Sequence, residues 1–351
     1  MTSRKHIVIL TPGFPENEDD TNCIPPLQDC VQLLAEKNYV KISIITLQYP
    51  TQKLNYNWHN IDVYSCGGND AKFPIRFIIW RDAVNIFKMI NKEFRADIIH
   101  SFFLSECALV GNYLSSKYRI KHISTMMGKE VKESNRYLRF INFNKVKVIS
   151  LSKPHAELFN RITNSESSIM PWGLDKNLLP RPINVERKID IIGVGSLTTL
   201  KNFSLFINIV AKVKDSRPDI RCLIIGDGPL KSKLAKQVEE LKLDSNMAFI
   251  EKILRNEVFD YMMQSKILLH TSSFESFGMV FIEALYYGLY IVSNAVGTAE
   301  SSNRWRICKS EDEMVNATLQ LLSSNLDHES VLQYSMDDTV ELYLNIYSSL
   351  D

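Results

Sequence analysis

Short apolar runs recur along the chain, and amphipathic stretches fill the gaps between them. The runs at 7–11, 42–47, 97–102, 122–125 and 146–151 read as strands. Those at 27–37, 78–94, 104–116 and 153–161 have the three-to-four residue repeat of helices. Strand alternating with helix predicts a mostly parallel sheet with helices on both faces. The pattern lapses over 171–187, where Pro171, Pro180 and Pro182 mark an interdomain connection. It restarts with strands at 189–194, 221–225, 248–250, 267–270 and 290–293, interleaved with helices at 202–214, 229–243, 255–264, 279–287 and 311–324, and a last helix at 336–349. The expected architecture is α/β, with two Rossmann-like domains facing each other across a cleft. The domains are expected at 1–175 and 176–334, with 335–351 a C-terminal helix packing back toward the first. Ligands in such folds sit beyond the carboxyl ends of the strands, so the loops there are the place to look for chemistry.

A length of 351 residues suits two domains, and 45% hydrophobic with 23% charged residues is the composition of a folded soluble protein. No apolar run approaches the ~18 residues that span a bilayer. The apolar stretch after Arg4 and Lys5 stops at Pro12 without a cleavage site, unlike a signal peptide. The expected location is cytoplasmic, peripheral on the inner face of the membrane. The six cysteines are scattered, with no C-x-x-C pair and no histidine at ligand spacing, so they read as small buried hydrophobes and neither a disulfide nor a metal is expected.

Charge divides the chain. Residues 1–180 hold 23 Lys and Arg against 17 Asp and Glu, and the remainder hold 18 against 23. Within 117–147 there are nine basic residues and two acidic ones. Segment 72–95 sets Lys72, Arg76, Arg81, Lys88, Lys92 and Arg95 among Phe73, Phe77, Trp80 and Phe87. Such composition suits docking on an anionic leaflet; a solubilising face over core aromatics is the other reading. No nucleic-acid motif is present and the pI is near 7.6, so nucleic acid is not expected as a partner.

The stretch 271–288 carries the most chemistry. A loop bearing Glu275 follows strand 267–270, and an apolar helix with Glu283 in its middle begins near Gly278. A buried carboxylate needs a partner, which a Lys or Arg or the vicinal diol of a ribose would provide. Backbone N–H groups of Phe277, Gly278, Met279 and Val280 open the helix and suit a phosphate. The sequence Glu-Ser-Phe-Gly-Met-Val-Phe-Ile-Glu-Ala-Leu from Glu275 to Leu285 resembles the EX7E signature of retaining GT-B glycosyltransferases, and is most similar to the bacterial-type family 4 enzymes. The segments 170–175, 194–202, 224–229 and 296–300 resemble other pieces of that family in its order, firmly from about 165 to 300 and loosely before.

This resemblance implies a metal-independent hexosyltransferase-type enzyme without a cofactor. It would move a sugar from a nucleotide-diphosphate sugar to a glycan or lipid-linked acceptor, in surface polysaccharide synthesis. By analogy Glu275 contacts hydroxyls of the transferred sugar, Glu283 holds the ribose diol, and Lys201 lies against the diphosphate. Gly13, Gly195 and Ser196 belong to the phosphate-side loops, and the loop containing Ile253 is where the base lies. Two departures stand out: Ser196 replaces an Arg common in relatives, and Met127 replaces a His on the acceptor side, where Lys129 could compensate. His100 and His122, at strand ends, either reach the acceptor or are satisfied structural histidines. The departures motivate one alternative, a non-catalytic nucleotide-sugar-binding partner with the same fold.

Overall fold

The computed structural model describes residues 4–37 and 39–349, in two units, Met1–Trp172 with Met336–Asp351, and Gly173–Ser335. The first contains β1 (Lys5–Gly13), α1 (Pro25–Ala35), β2 (Val40–Tyr49), β3 (Lys53–Trp58), β4 (Ile61–Cys66), α2 (Ile75–Glu93), β5 (Ile98–Phe102), α3 (Glu106–Tyr118), β6 (Lys121–Thr125), β7 (Val146–Ser150), α4 (Lys153–Thr163) and β8 (Ser168–Ile169). Its sheet has the order β3-β4-β2-β1-β5-β6-β7-β8, parallel except for the β3–β4 pair. In β1, Ile7, Val8, Ile9 and Leu10 are all buried, as expected where helices cover both faces of a parallel sheet.

The second unit contains β9 (Ile189–Val194), α5 (Phe203–Ser216), β10 (Cys222–Ile225), α6 (Lys231–Glu240), β11 (Met247–Ile250), α7 (Arg255–Met263), β12 (Ser265–His270), α8 (Met279–Tyr286), β13 (Tyr290–Ser293), β14 (Trp305–Ile307) and α9 (Glu311–Ser323). Its six strands are all parallel, in the order β11-β10-β9-β12-β13-β14. The helices pack by their apolar stripes. On α5, Phe203, Phe206, Ile207, Val210 and Val213 recur at helical spacing and join Ile191, Ile224 and Ile267 of the sheet in one core.

The chain builds outward from β9 through β10 and β11, then returns to the other side of β9 as β12. That reversal opens a crevice between the carboxyl ends of β9 and β12, the place where such sheets bind ligands. The last helix, α10 (Met336–Ser349), belongs to the first unit. Trp172 Nε1 donates to Tyr343 Oη at 3.0 Å and Thr339 Oγ1 to the Pro171 carbonyl at 3.1 Å.

Four strands escaped the sequence pattern. The β3–β4 hairpin turns at His59 and Asn60, which hold φ of 46° and 63° without a glycine to announce it, and most of β3 is exposed. Strands β8 and β14 span two and three residues, too few to show a period. All six cysteines are free; five are buried and Cys23 is half-buried. Among the described residues, no helix is long and apolar enough to cross a membrane.

Candidate functional site

Two loops of the second unit are tied together at the β9–β12 crevice. Thr271 Oγ1 donates to the carbonyls of Lys201 and Asn202, and the Ser273 N–H to that of Leu200 at 2.9 Å. A third loop, after β13, closes on the second: Thr298 N–H reaches the Phe277 carbonyl at 2.9 Å, and a Cβ on Gly297 would stand 2.2 Å from that oxygen. Gly195, beside the Lys201 stem, holds φ of 149°, a backbone conformation that other residues rarely adopt. These constraints bring Lys201 to Glu275.

Lys201 Nζ pairs with Glu275 Oε1, and His270 Nε2 lies 2.9 Å from the same oxygen. Burial alone pushes the Glu275 carboxyl up, but the His270 hydrogen bond and the Lys201 charge outweigh it and hold it down at about 2. Burial also lowers His270, so the ring stays neutral near pH 7. A carboxylate only accepts, so His270 carries its proton on Nε2 and donates. Its ring stands edge-on to Phe281 at 4.6 Å.

Glu283 is in the same position one helix away. On α8, Phe281, Ile282, Ala284, Leu285 and Tyr286 are buried, while Met279, Val280 and Glu283 form a half-buried stripe. Arg255, the first residue of α7, donates to Glu283 Oε1 through Nη2 at 3.0 Å and Nε at 3.3 Å. Of the alternatives open for this carboxylate, the arginine partner is therefore present. Each carboxylate engages its cation through Oε1; Oε2 of Glu275 and of Glu283 has no protein partner among the described residues. Gly278, just before α8, holds φ of 89° and leaves the helix start with no side-chain cap. Ser196 is exposed beside these loops, and Ile253 is half-buried in the loop between β11 and α7. His270 and Arg255 were not singled out from sequence; a histidine ending the strand five residues before Glu275 was the only signal for the first.

In the first unit the expected acceptor-side residues fare differently. His100 is fully buried, its Nδ1 2.7 Å from Tyr347 Oη on α10 and its Nε2 2.9 Å from Thr125 Oγ1. Of the two readings open for it, these contacts fit the satisfied structural histidine: both nitrogens are used inside the protein, and burial lowers its pKa to about 3. His122 is buried as well, on Ser101 Oγ at 2.9 Å. Gly13, expected to approach a phosphate, is buried in β1; a Cβ on it would meet Cys23 Sγ at 3.1 Å and Tyr49 Cβ at 3.3 Å, so its small size serves packing. Met127 is half-buried and Lys129 exposed, in a loop clamped by Glu130, whose carboxylate accepts the N–H groups of Met127, Gly128 and Leu104. Four cations of the basic segment, Arg119, Lys121, Lys145 and Lys147, line a cavity of about 540 Å³ at the amino ends of β6 and β7, the end opposite these loops.

Two α/β units of this kind, each with its strands open at the carboxyl end, define the GT-B fold, and solved structures agree. Sucrose-phosphate synthase from Thermosynechococcus elongatus superposes with a TM-score of 0.78 at 17% identity, over 99% of both chains. Anabaena HepE, solved in complex with UDP and glucose, gives 0.70 at 15% identity, over 98% of this chain and 100% of its own. Residues 175–334 match the family model for glycosyl transferases group 1. Among curated proteins, the gpi3 subunit of phosphatidylinositol N-acetylglucosaminyltransferase from Schizosaccharomyces pombe is 27% identical over 62% of this chain and 52% of its own length. The chain thus spans about half the length of that relative.

Proposed function

We propose that the protein is a retaining, metal-independent glycosyltransferase that takes a sugar from a nucleoside-diphosphate donor bound at the β9–β12 crevice. The observation that carries this reading is the pair of half-engaged carboxylates, Glu275 and Glu283, beside Lys201 and the uncapped start of α8. Oε2 of Glu275 accepts from hydroxyls of the transferred sugar, and Oε2 of Glu283 from the ribose diol, while Arg255 holds the second carboxylate in place. Lys201 and the N–H groups at the start of α8, from Phe277 to Val280, stand against the diphosphate, and Gly195 and Ser196 flank it. The loop with Ile253 borders the base.

In the reaction the bond from the anomeric carbon to the diphosphate oxygen breaks, and the acceptor oxygen bonds that carbon from the same face. The acceptor proton passes to the departing phosphate, and nucleoside diphosphate leaves. The charge that grows on the leaving oxygen is met by Lys201, electrostatic stabilisation that is commonly the largest contribution in such sites. HepE was solved with UDP, and the fission-yeast relative is named for N-acetylglucosaminyl transfer, so UDP-N-acetylglucosamine is the first donor to test.

The acceptor in this reading is a glycan or lipid-linked molecule of surface polysaccharide synthesis, met at an anionic membrane. Support comes from the start of α2, where Phe73, Ile75, Phe77 and Ile78 are exposed, Phe73 by 74%. Phe73, Phe77, Trp80 and Tyr137 form a run of edge-to-face contacts, with exposed Phe140 one 3₁₀ turn beyond Tyr137. Buried Glu106 holds this run in place, accepting from Trp80 Nε1 at 2.8 Å with Arg76 at 3.6 Å. Exposed Lys72, Arg81, Arg136 and Arg139 lie on the same segments, the mix of aromatic and basic side chains that anionic leaflets attract.

The test is release of UDP from UDP-N-acetylglucosamine in EDTA. Wild type should release it slowly without acceptor and Glu275→Ala should not. Equal release by both would reject the site, and none by wild type with any nucleotide sugar would favour a non-catalytic binding protein.

A further inference from the structure

Two donors of unlike mobility meet on Glu275 Oε1. His270 is fixed: it ends β12, is 4% exposed, and lies against Phe281. Lys201 sits on a flexible four-carbon stem at the rim, and its ammonium has no other partner among the described residues. Its bond to Glu275 occupies the charge that a donor diphosphate needs. The diphosphate carries more charge than one carboxylate, and the ammonium can turn to it without moving the backbone.

We propose that Glu275 holds Lys201 in reserve while the site is empty, that a nucleoside diphosphate draws the ammonium off Oε1, and that His270 is the positioning residue that then keeps Glu275 aimed. The step exchanges one ion pair for another, and no covalent bond changes. Without the second donor, a carboxylate losing its cation in a half-buried site would lose its orientation at the moment the sugar arrives. His270 supplies a hydrogen bond that survives the exchange. This inference rests on the donor reading above.

It makes Glu275 a competitor of the diphosphate, with a consequence opposite to that of an ordinary binding residue. Glu275→Gln keeps the shape and the His270 bond but releases Lys201. Titration with UDP, or with GDP, ADP or TDP if one of these binds instead, should show Glu275→Gln binding about fivefold tighter than wild type, the worth of an ion pair near 1 kcal/mol. Donor hydrolysis by the same variant should fall. In a Lys201→Ala background the tightening should vanish; if it persists, Glu275 acts by repulsion through space and the exchange is overturned.

His270→Leu should reduce the rate of donor hydrolysis about tenfold, as a misaimed contact does, with a much smaller change in KM. His270→Gln, which keeps an N–H near the Nε2 position, should restore most of it. In the Glu275→Gln background His270→Leu should add nothing, and an undiminished effect there would reduce His270 to a packing residue. If no nucleoside diphosphate binds wild type, the donor reading itself falls. If one binds but Glu275→Gln leaves its affinity unchanged or weaker, only the exchange falls.

Discussion

At the carboxyl ends of β9 and β12, each carboxylate meets its cation through one oxygen and keeps the other open. At the corresponding end of the first unit's sheet, His100 and Glu130 are closed on protein partners. His100 spends both nitrogens on Tyr347 and Thr125, and Glu130 spends its oxygens on three backbone N–H groups. One set of loops keeps hydrogen-bonding capacity in reserve at a site rigid enough to use it, and the other uses its capacity to hold shape. Reserve capacity, more than the presence of titratable residues, separates a binding surface from a scaffold. The first unit presents something else to its surroundings, the exposed aromatic and basic edge at the start of α2.

The sharpest way to break this contrast is to remove one residue from each side. Glu275→Ala should lower donor hydrolysis by at least about a hundredfold, whereas His100→Phe should leave the rate per folded molecule within about twofold of wild type. A large kinetic effect of His100→Phe would overturn its reading as a purely structural residue. Arg255→Ala strands Glu283 in a half-buried position; a loss of about 2 kcal/mol, discounted for its exposure, should lower Tm by about 5 °C in a thermal melt. Glu283→Ala should mainly weaken nucleotide binding, read by titration. On the first unit, Phe73→Ser with Phe77→Ser should weaken sedimentation with phosphatidylglycerol vesicles about tenfold and leave nucleotide binding intact.

Acid should expose the closed side more gradually. Burial lowers His100 and His122 to about 3, below the 6.5 of an exposed ring, so the unfolded chain takes up protons first as pH falls. Their contribution is whole above pH 6.5 and is lost toward pH 3, at about 1.4 kcal/mol per pH unit for each ring. Denaturant melts between about pH 5.5 and 4 should show that slope, reduced in His100→Phe.

The alternation of strand and helix was legible because parallel strands covered on both faces are apolar throughout and helices show their stripe. Glu275 and Glu283 were legible as candidates because both fall within the one stretch 271–288, and Lys201 because its loop resembles a piece of the same family. His270 and Arg255 were not, because their roles depend on where folding sets them relative to those carboxylates, and neither spacing announces it. His100 stayed open between two readings for the converse reason: its sequence position said nothing of α10, which returns some 240 residues later to cover it. The basic segment was legible as charge but not as surface, since folding puts part of it around the groove at the amino ends of β6 and β7 and leaves the aromatic edge to α2.

The central claim is that the loops after β9 and β12 bind a nucleoside diphosphate through Lys201. Calorimetric titration with UDP, GDP, ADP and TDP in EDTA tests it most directly, on wild type and on Lys201→Ala. The account predicts that one of them binds wild type without metal and binds Lys201→Ala at least about tenfold more weakly. Equal affinity in the two proteins, or no binding by any of the four, would contradict it.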